Sequence, residues 1–168
     1  MNLIRKINDS EFLKTYVLSK KEPRITARGI LLNHNDQILL MYSEKFNLYS
    51  FPGGGVEDKE TPQEAVLREI YEETGYKCII LKALGYIEEN RGQLDYTQIS
   101  YYYILCSIGS PDNQQLTADE ITNRTIYRWY KKEDIEDILL KSSQDTLQQK
   151  YLKVRDLYAW KEYVEKNY

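Results

Sequence analysis

The stretch GGGVEDKETPQEAVLREIYEETGY occupies residues 53–76 and decides how the rest of the chain is interpreted. It opens with three consecutive glycines, which predict an irregular loop because glycine reaches backbone conformations that other residues avoid. Behind the glycines, acidic residues outnumber basic ones, and Glu69, Glu72 and Glu73 lie close together in sequence. Carboxylates this close together repel one another unless water solvates them or a cation neutralises them.

The signals of a helix follow the glycines. Thr61 can serve as the N-cap, with Pro62 in the first helical position and Glu64 completing a capping box. Gly75 suits the left-handed residue that follows a helix. The sequence therefore predicts a helix over 62–74.

The three glutamates would share one side of this helix. At 100° per residue, Glu69, Glu72 and Glu73 fall within an arc of about 100°. Like charges at positions i and i+4 are unfavourable, and the C-terminal half of a helix disfavours anions. A solvated acidic face is one interpretation. The other is a site for Mg²⁺ or Mn²⁺, which prefer hard oxygen ligands.

The spacing of these residues matches a known motif. The pattern is G-x5-E-x7-R-E-U-x-E-E-x-G-U, in which U is a bulky apolar residue, and its fixed positions are Gly54, Glu60, Arg68, Glu69, Ile70, Glu72, Glu73 and Gly75. Tyr76 departs from the aliphatic residue that is usual at the last position, which affects packing rather than chemistry. This motif is the Nudix box, and the sequence resembles Nudix hydrolases over roughly residues 24–140.

The resemblance implies a fold and a reaction. The fold is of the α/β class, the Nudix fold, with a mixed β-sheet sandwiched between helices. The reaction is the hydrolysis of a nucleoside diphosphate linked to another group, with Mg²⁺ or Mn²⁺ as cofactor. The substrate would be a small nucleotide-type diphosphate.

The resemblance also implies roles for individual residues. Those that would bind metal are Gly53, through its carbonyl oxygen, and Glu69, Glu72 and Glu73. Arg68 would count among the catalytic residues, because it would orient the glutamates. Glu60 would stabilise the loop.

Two acidic residues compete for the role of general base, the group that takes a proton from the attacking water. Nudix hydrolases often use an acid from a later loop as base or metal ligand, and Glu120 in LTADEITN (116–123) fits that description if this segment is a loop. Glu72 is the competing base. A solvated loop residue is the plain interpretation of Glu120.

Two arginines are candidates for substrate binding. Arg28 lies in a predicted core strand, where an unpaired charge is costly, so it would either face phosphate or point outward from an edge. Arg91 follows Glu88 and Glu89 at a strand end, where the leaving group could lie, although we favour a polar hairpin tip for this segment. Phe46 could stack on a base, but packing on the sheet is favoured.

The remaining elements are predicted from hydrophobic periodicity and turn signals. The predicted strands are 25–32, 37–43, 78–89, 95–108 and 125–130, and the predicted helices are 132–141 and 144–166. This order predicts a single domain over residues 1–168 with a C-terminal helix at about 144–166.

Composition excludes several classes of protein. A net charge of −3 argues against stable nucleic-acid binding, which needs a basic surface. Neither a signal peptide nor an apolar run long enough to cross a membrane is found, and Cys78 and Cys106 are interpreted as reduced thiols. We therefore expect a cytoplasmic protein without membrane partners.

One alternative function stays open at this point. A non-catalytic Nudix module could sense a nucleotide or an ADP-ribose-like ligand, although such modules commonly lose the glutamates that are present here. A homodimer formed through the tyrosine-rich C-terminal helix is a further possibility, and it is compatible with catalysis.

Overall fold

The computed structural model describes residues 1–166, so residues 167–168 of the predicted domain lie outside it. Within the described residues, eight strands form one sheet: β1 (Leu3–Asn8), β2 (Arg24–Leu32), β3 (Gln37–Ser43), β4 (Leu48–Ser50), β5 (Gly53–Gly55), β6 (Lys77–Arg91), β7 (Tyr96–Ile108) and β8 (Thr125–Lys131). The helices of this range are α1 (Pro62–Thr74), α2 (Ala118–Thr122), α3 (Ile135–Leu140) and α4 (Leu147–Glu165).

The sheet is mixed, as predicted. Its strands follow the order β1-β6-β7-β2-β3-β4, while β5 pairs with β2 and β8 pairs with β3. The β1–β6 and β2–β7 pairs are parallel, and the remaining pairs are antiparallel. The central position of β2 brings the segment before α1 into the middle of the sheet.

Helices cover both faces of the sheet, which confirms the predicted sandwich. Side chains alternate between the two faces along β2. Ala27 and Leu31 pack in one core with Val66 and Ile70 of α1. Ile30 faces the other core, to which α3 and α4 contribute. The two cores therefore fix α1 and α4 on opposite sides of the same strand.

The helix signals in the sequence are confirmed at both ends of α1. The Thr61 side chain accepts a hydrogen bond from the Glu64 backbone, and the Glu64 carboxylate accepts one from the Thr61 N–H at 2.8 Å. Gly75 follows the helix with a φ of 76°, in the left-handed region. Local capping chemistry thus places the acidic residues in register on a single helix.

The prediction of an irregular loop at the three glycines is wrong. These residues form β5, in which Gly53 pairs with Arg28 and Gly55 pairs with Thr26 of β2. The pairing is possible because β3 meets β2 at its other end, which leaves this part of the strand edge open to hydrogen bonding. The strand holds the start of the motif firmly against the sheet.

Other elements differ from the predictions by a few residues or were missed. The strands β6 and β7 extend close to the predicted ranges, and the predicted helix 132–141 opens with a 3₁₀ turn before α3. Three short elements, β1, β4 and α2, were not predicted. Ile7 is the buried residue of β1, so apolar periodicity gives little signal there.

The tyrosines that suggested a dimer contact serve the fold of the chain itself. Tyr151 and Tyr163 of α4 are buried in the core against the sheet. The homodimer stays a prediction. None of the helices within residues 1–166 combines the length and apolar character that crossing a bilayer requires.

A buried carboxylate ties α4 to the sheet. Asp156 accepts a hydrogen bond from the Phe51 N–H at 2.9 Å and another from the Tyr102 hydroxyl. It also pairs with Arg155, whose Nε lies 2.9 Å from the carboxylate. These contacts connect α4 with β7 and with the residues that lead into β5, so they help to position the glycine strand.

Replacing Asp156 by asparagine should destabilise the fold by about 3–5 kcal/mol, because the buried Arg155 charge would lose its partner. The free energy of unfolding in urea measures this loss. The matched control is Asp137→Asn on the exposed side of α3, which should change stability by less than about 0.5 kcal/mol. Equal stability of the two variants would contradict the assigned role of Asp156.

Candidate active site

The glycine strand lies in close contact with the acidic helix. The Gly53 N–H donates a hydrogen bond to the Glu73 carboxylate at 2.7 Å. Gly53 has a φ of 132°, and a Cβ atom there would lie 2.2 Å from the Ala27 carbonyl oxygen. The position therefore requires glycine, both for its backbone conformation and for its approach to β2.

The next glycine brings a second carboxylate to the same strand. A Cβ atom at Gly54 would lie 2.5 Å from the Glu69 carboxylate, so the absence of a side chain makes room for that group. Glu69 and Glu73 are one turn apart on α1 and thus lie side by side. Both carboxylates consequently face the backbone of β5.

Arg68 connects the helix, the glycine strand and the segment between them. Its Nε and Nη2 donate to the two oxygens of Glu60 at 2.8 and 3.0 Å. Nη1 donates to Glu69 at 3.0 Å and to Glu72 at 3.1 Å, and Nη2 also reaches the Gly55 carbonyl at 3.0 Å. The bond to Glu60 is the main cause of the raised pKa of Arg68, and it lowers the pKa of Glu60.

Negative charge around Arg68 exceeds the positive charge that contacts it. The carboxylates of this acidic cluster belong to Glu60, Glu69, Glu72 and Glu73. Burial raises the pKa of the Glu73 carboxyl to about 8, and the charges of Glu120 and Glu69 add to the rise. Burial likewise raises the pKa of Glu69, against the opposing effect of Arg68. A further cation would therefore be stabilised here.

Glu120 lies in a helix, so the prediction of a loop is wrong. It occupies the third position of α2, where its carboxylate accepts hydrogen bonds from the Thr117 N–H at 2.7 Å and the Thr117 hydroxyl at 2.8 Å. The sequence contained a signal for this cap, because TADE (117–120) repeats the capping pattern of TPQE (61–64). Its charge nevertheless contributes to the raised pKa of Glu73.

The predicted metal ligands come together in part. Over the described range, residues 1–166, no three acidic, histidine or cysteine side chains already have the mutual arrangement of a metal site. Arg68 holds Glu69 and Glu72, and the Gly53 N–H holds Glu73. The donors are hard carboxylate oxygens in excess over their cationic partners, which suits Mg²⁺ or Mn²⁺ chemically.

Arg28 lies on the face of β2 that is turned toward α4. Its Nη1 donates to the Phe51 carbonyl at 3.0 Å, whereas its Nε is buried and finds no hydrogen-bond partner among the described residues. Burial lowers the pKa of Arg28, and the nearby charge of Arg155 lowers it further. The outward edge position considered for Arg28 is therefore wrong.

The polar hairpin tip favoured for Arg91 is also wrong. Arg91 and Glu89 are buried and form an ion pair at 2.8 Å, because β6 continues through both residues and pairs with β7. Gln98 donates a hydrogen bond to Glu89 at 2.9 Å. The Arg91 guanidinium lies 5.0 Å from the ring centroid of Tyr96 and 5.1 Å from that of Tyr151. It is thus fixed within the structure.

Four arginines surround a single cavity between the sheet and α4. The cavity has a volume of about 430 Å³, and its arginines are Arg24, Arg28, Arg91 and Arg155. We call it the arginine pocket. Sequence reasoning missed Arg24 and Arg155, since no local pattern distinguishes either residue from an exposed charge.

The comparison with protein families agrees with this architecture. The NUDIX domain matches residues 22–152, and the chain belongs to the NUDIX family. Diphosphoinositol polyphosphate phosphohydrolase 3-beta from Homo sapiens is 31% identical over 105 residues, which cover 62% of this chain and 60% of that protein. The alignment therefore spans less than two thirds of that relative.

Two further comparisons concern bacterial proteins. A putative 8-oxo-dGTP diphosphatase from Bacillus subtilis (strain 168) is 39% identical over 64 residues, which cover 38% of this chain and 43% of the relative. The solved structure of a NUDIX hydrolase from Nitrosomonas europaea has a TM-score of 0.65 and 17% identity, and it covers 86% of this chain and 90% of that chain. This likeness shows the shared fold.

Gly53 lies so close to β2 that adding a single methyl group should strongly destabilise the fold. Gly53→Ala should cost about 3 kcal/mol or more in unfolding free energy, because an unfavourable φ is combined with a clash against β2. The control is Gly109→Ala, which has a φ of 66° but meets no atom within 4 Å. It should cost about 1–2 kcal/mol. Similar losses in both variants would show that the β5 contact is unimportant.

Proposed function

We propose that the protein hydrolyses the diphosphate bond of a nucleoside diphosphate linked to another group, with Mg²⁺ or Mn²⁺ as cofactor. The observation that carries this proposal is the excess of negative charge in the acidic cluster. There the single positive charge of Arg68 contacts three carboxylates, those of Glu60, Glu69 and Glu72. Membership of the NUDIX family supports the assignment. Relatives are named as a phosphohydrolase of diphosphoinositol polyphosphate and as a putative 8-oxo-dGTP diphosphatase, so the proposed reaction class also agrees with their names.

The residues proposed to hold the cations lie on α1 and around it. They are Glu69, Glu72 and Glu73, the carbonyl group of Gly53, and Glu120. When bound, a divalent cation neutralises phosphate oxygens and makes a coordinated water nucleophilic near neutral pH. The carboxylates supply the hard oxygen donors that this chemistry needs.

The other residues of the site orient groups and move a proton. Arg68 keeps Glu69 and Glu72 in position through its fixed fork of N–H donors. Arg28 would bind a phosphate oxygen through its free Nε. Glu120 or Glu72 would accept the proton of the attacking water. The Glu120 carboxylate is held by Thr117 at the start of α2, whereas that of Glu72 is held by Arg68.

A substrate panel tests the proposal. Release of phosphate or mononucleotide should be measured with Mg²⁺ and with Mn²⁺. The panel should include nucleoside triphosphates and their oxidised forms, ADP-ribose, dinucleoside polyphosphates, nucleotide sugars and a diphosphoinositol polyphosphate. We expect metal-dependent hydrolysis of at least one nucleotide. Tight binding of a nucleotide without turnover would instead favour the non-catalytic sensor.

Substitution of Glu73 should separate catalysis from folding. Glu73→Gln should lower turnover by about two orders of magnitude or more, because it removes one charge from the proposed metal site. The metal-free variant should be at least as stable as the wild type, because burial and neighbouring carboxylates already disfavour the charged form of Glu73. Steady-state rates at saturating Mg²⁺ and thermal melting in EDTA measure the two effects.

The control for this experiment lies on the same helix. Glu64→Gln removes one charge from the exposed first turn of α1 and preserves the capping box, in which glutamine is equally suitable. It should keep nearly full activity. Comparable activity of the two variants would remove Glu73 from the ligand set.

The choice between the two candidate bases can be made by kinetics. If Glu120 is the base, Glu120→Gln should lower kcat by roughly 10²–10⁴-fold with little change in KM. Glutamine preserves the cap of α2, so the loss would not reflect unfolding. Glu72→Gln provides the comparison. A fall of less than about threefold for Glu120→Gln would transfer the role to Glu72.

A further inference from the structure

We infer that the arginine pocket binds a phosphate group of the substrate and that Arg155 of α4 is one of its binding residues. The inference rests on the proposed function for the nature of the substrate. It adds a site built by the C-terminal helix, on the face of the sheet opposite α1. The residues that form it are Arg24, Arg28, Arg91 and Arg155.

Arg155 is the main observation behind this inference. The residue is 1% exposed, and its Nε donates to Asp156 at 2.9 Å. Its Nη1 and Nη2 are buried and have no hydrogen-bond partner within the described residues. A guanidinium carries five N–H donors, and leaving buried donors unpaired is unfavourable. Because Arg155 lines the pocket, an anion there could accept these hydrogen bonds.

Two arginines connect the pocket with the acidic cluster. Arg28 lines the pocket and pairs with Gly53 of β5, whose N–H donates a hydrogen bond to Glu73, so it lies next to the strand that the acidic cluster contacts. Arg24 approaches the glycine strand, since a Cβ atom at Gly55 would lie 3.0 Å from its Nη2. A phosphate in the pocket would therefore belong to the molecule whose diphosphate is cleaved nearby.

The charge balance of the pocket favours an anion. Asp156 pairs with Arg155, and Glu89 pairs with Arg91. Across residues 1–166, no carboxylate forms an ion pair with Arg24 or Arg28. The pocket therefore has an excess of positive charge that a phosphate would neutralise, and the arginine fork suits phosphate oxygens geometrically.

An apolar groove continues from the pocket and indicates the class of ligand. The groove has a volume of about 390 Å³. Phe46, Leu48 and Leu147 form its apolar walls, and Thr146, Gln148 and Gln149 also line it. It shares Leu94 and Leu152 with the arginine pocket. A nucleotide joins a phosphate to a planar, largely apolar base and could fill both spaces, whereas an inositol polyphosphate has no apolar part to place in the groove.

Calorimetric titration of the metal-free protein in EDTA tests the inference without turnover. The probes are AMP, GMP, adenosine, inorganic phosphate and inositol hexakisphosphate. The wild type should bind a nucleoside monophosphate more tightly than adenosine, inorganic phosphate or inositol hexakisphosphate. Arg24→Gln, at an exposed position, and Arg155→Lys, which retains the charge opposite Asp156, should each weaken that binding about tenfold or more.

Two controls separate this result from other effects. Arg124→Gln removes an equal charge from an exposed arginine that does not line the pocket, and it should leave the affinity unchanged. The double variant Glu69→Gln, Glu73→Gln should still bind the nucleotide in EDTA. Nucleotide binding by the wild type, together with no hydrolysis by the wild type in the substrate panel, would refute the proposed function alone.

Three results would overturn the inference. The first is that the wild type binds neither AMP nor GMP. The second is equal affinity of the wild type, Arg24→Gln and Arg155→Lys for the nucleotide. The third is tighter binding of inositol hexakisphosphate than of either nucleotide, which would contradict the role of the apolar groove.

Discussion

The hydrogen bonds of Arg68 are the interaction on which the candidate site depends. One guanidinium joins α1 to the Gly55 carbonyl of β5 and to Glu60 in the connecting segment. The same group holds Glu69 and Glu72 near one another despite their like charges. Without Arg68, repulsion between like charges on α1 would separate the carboxylates. The segment before α1 would also lose its connection to the helix. Lysine could not replace Arg68, because a single ammonium lacks the planar fork.

Close backbone approach is the second constraint, and it explains the glycines. β5 can lie between β2 and α1 because its residues have no side chains, so the Gly53 N–H reaches Glu73 and Gly54 makes room for Glu69. On the opposite face, Asp156 connects α4 to the residues before β5 through the Phe51 N–H. The glycine strand is thus positioned from both sides of the sheet, and it contacts both Glu73 of the acidic cluster and Arg28 of the arginine pocket.

Local signals explain what could be predicted from the sequence. The ends of α1 depend on Thr61, Glu64 and Gly75, which act within one turn of the helix. Features that depend on distant contacts were missed or misinterpreted. The glycines form a strand because β2 offers a free edge, and Arg155 lines a pocket because α4 crosses the sheet there. Glu120 was predicted to lie in a loop, although the sequence contains the capping box of α2 to which it belongs.

The proposed role of the α1 carboxylates is to hold divalent cations against a diphosphate. The most direct test is the melting temperature of the wild type and of the Glu69→Gln, Glu73→Gln double variant as Mn²⁺ or Mg²⁺ is added. Binding to the native state alone should raise the melting temperature of the wild type with metal concentration, and the rise should shrink greatly in the double variant. An equal rise in both proteins would place the metal site elsewhere and contradict the account.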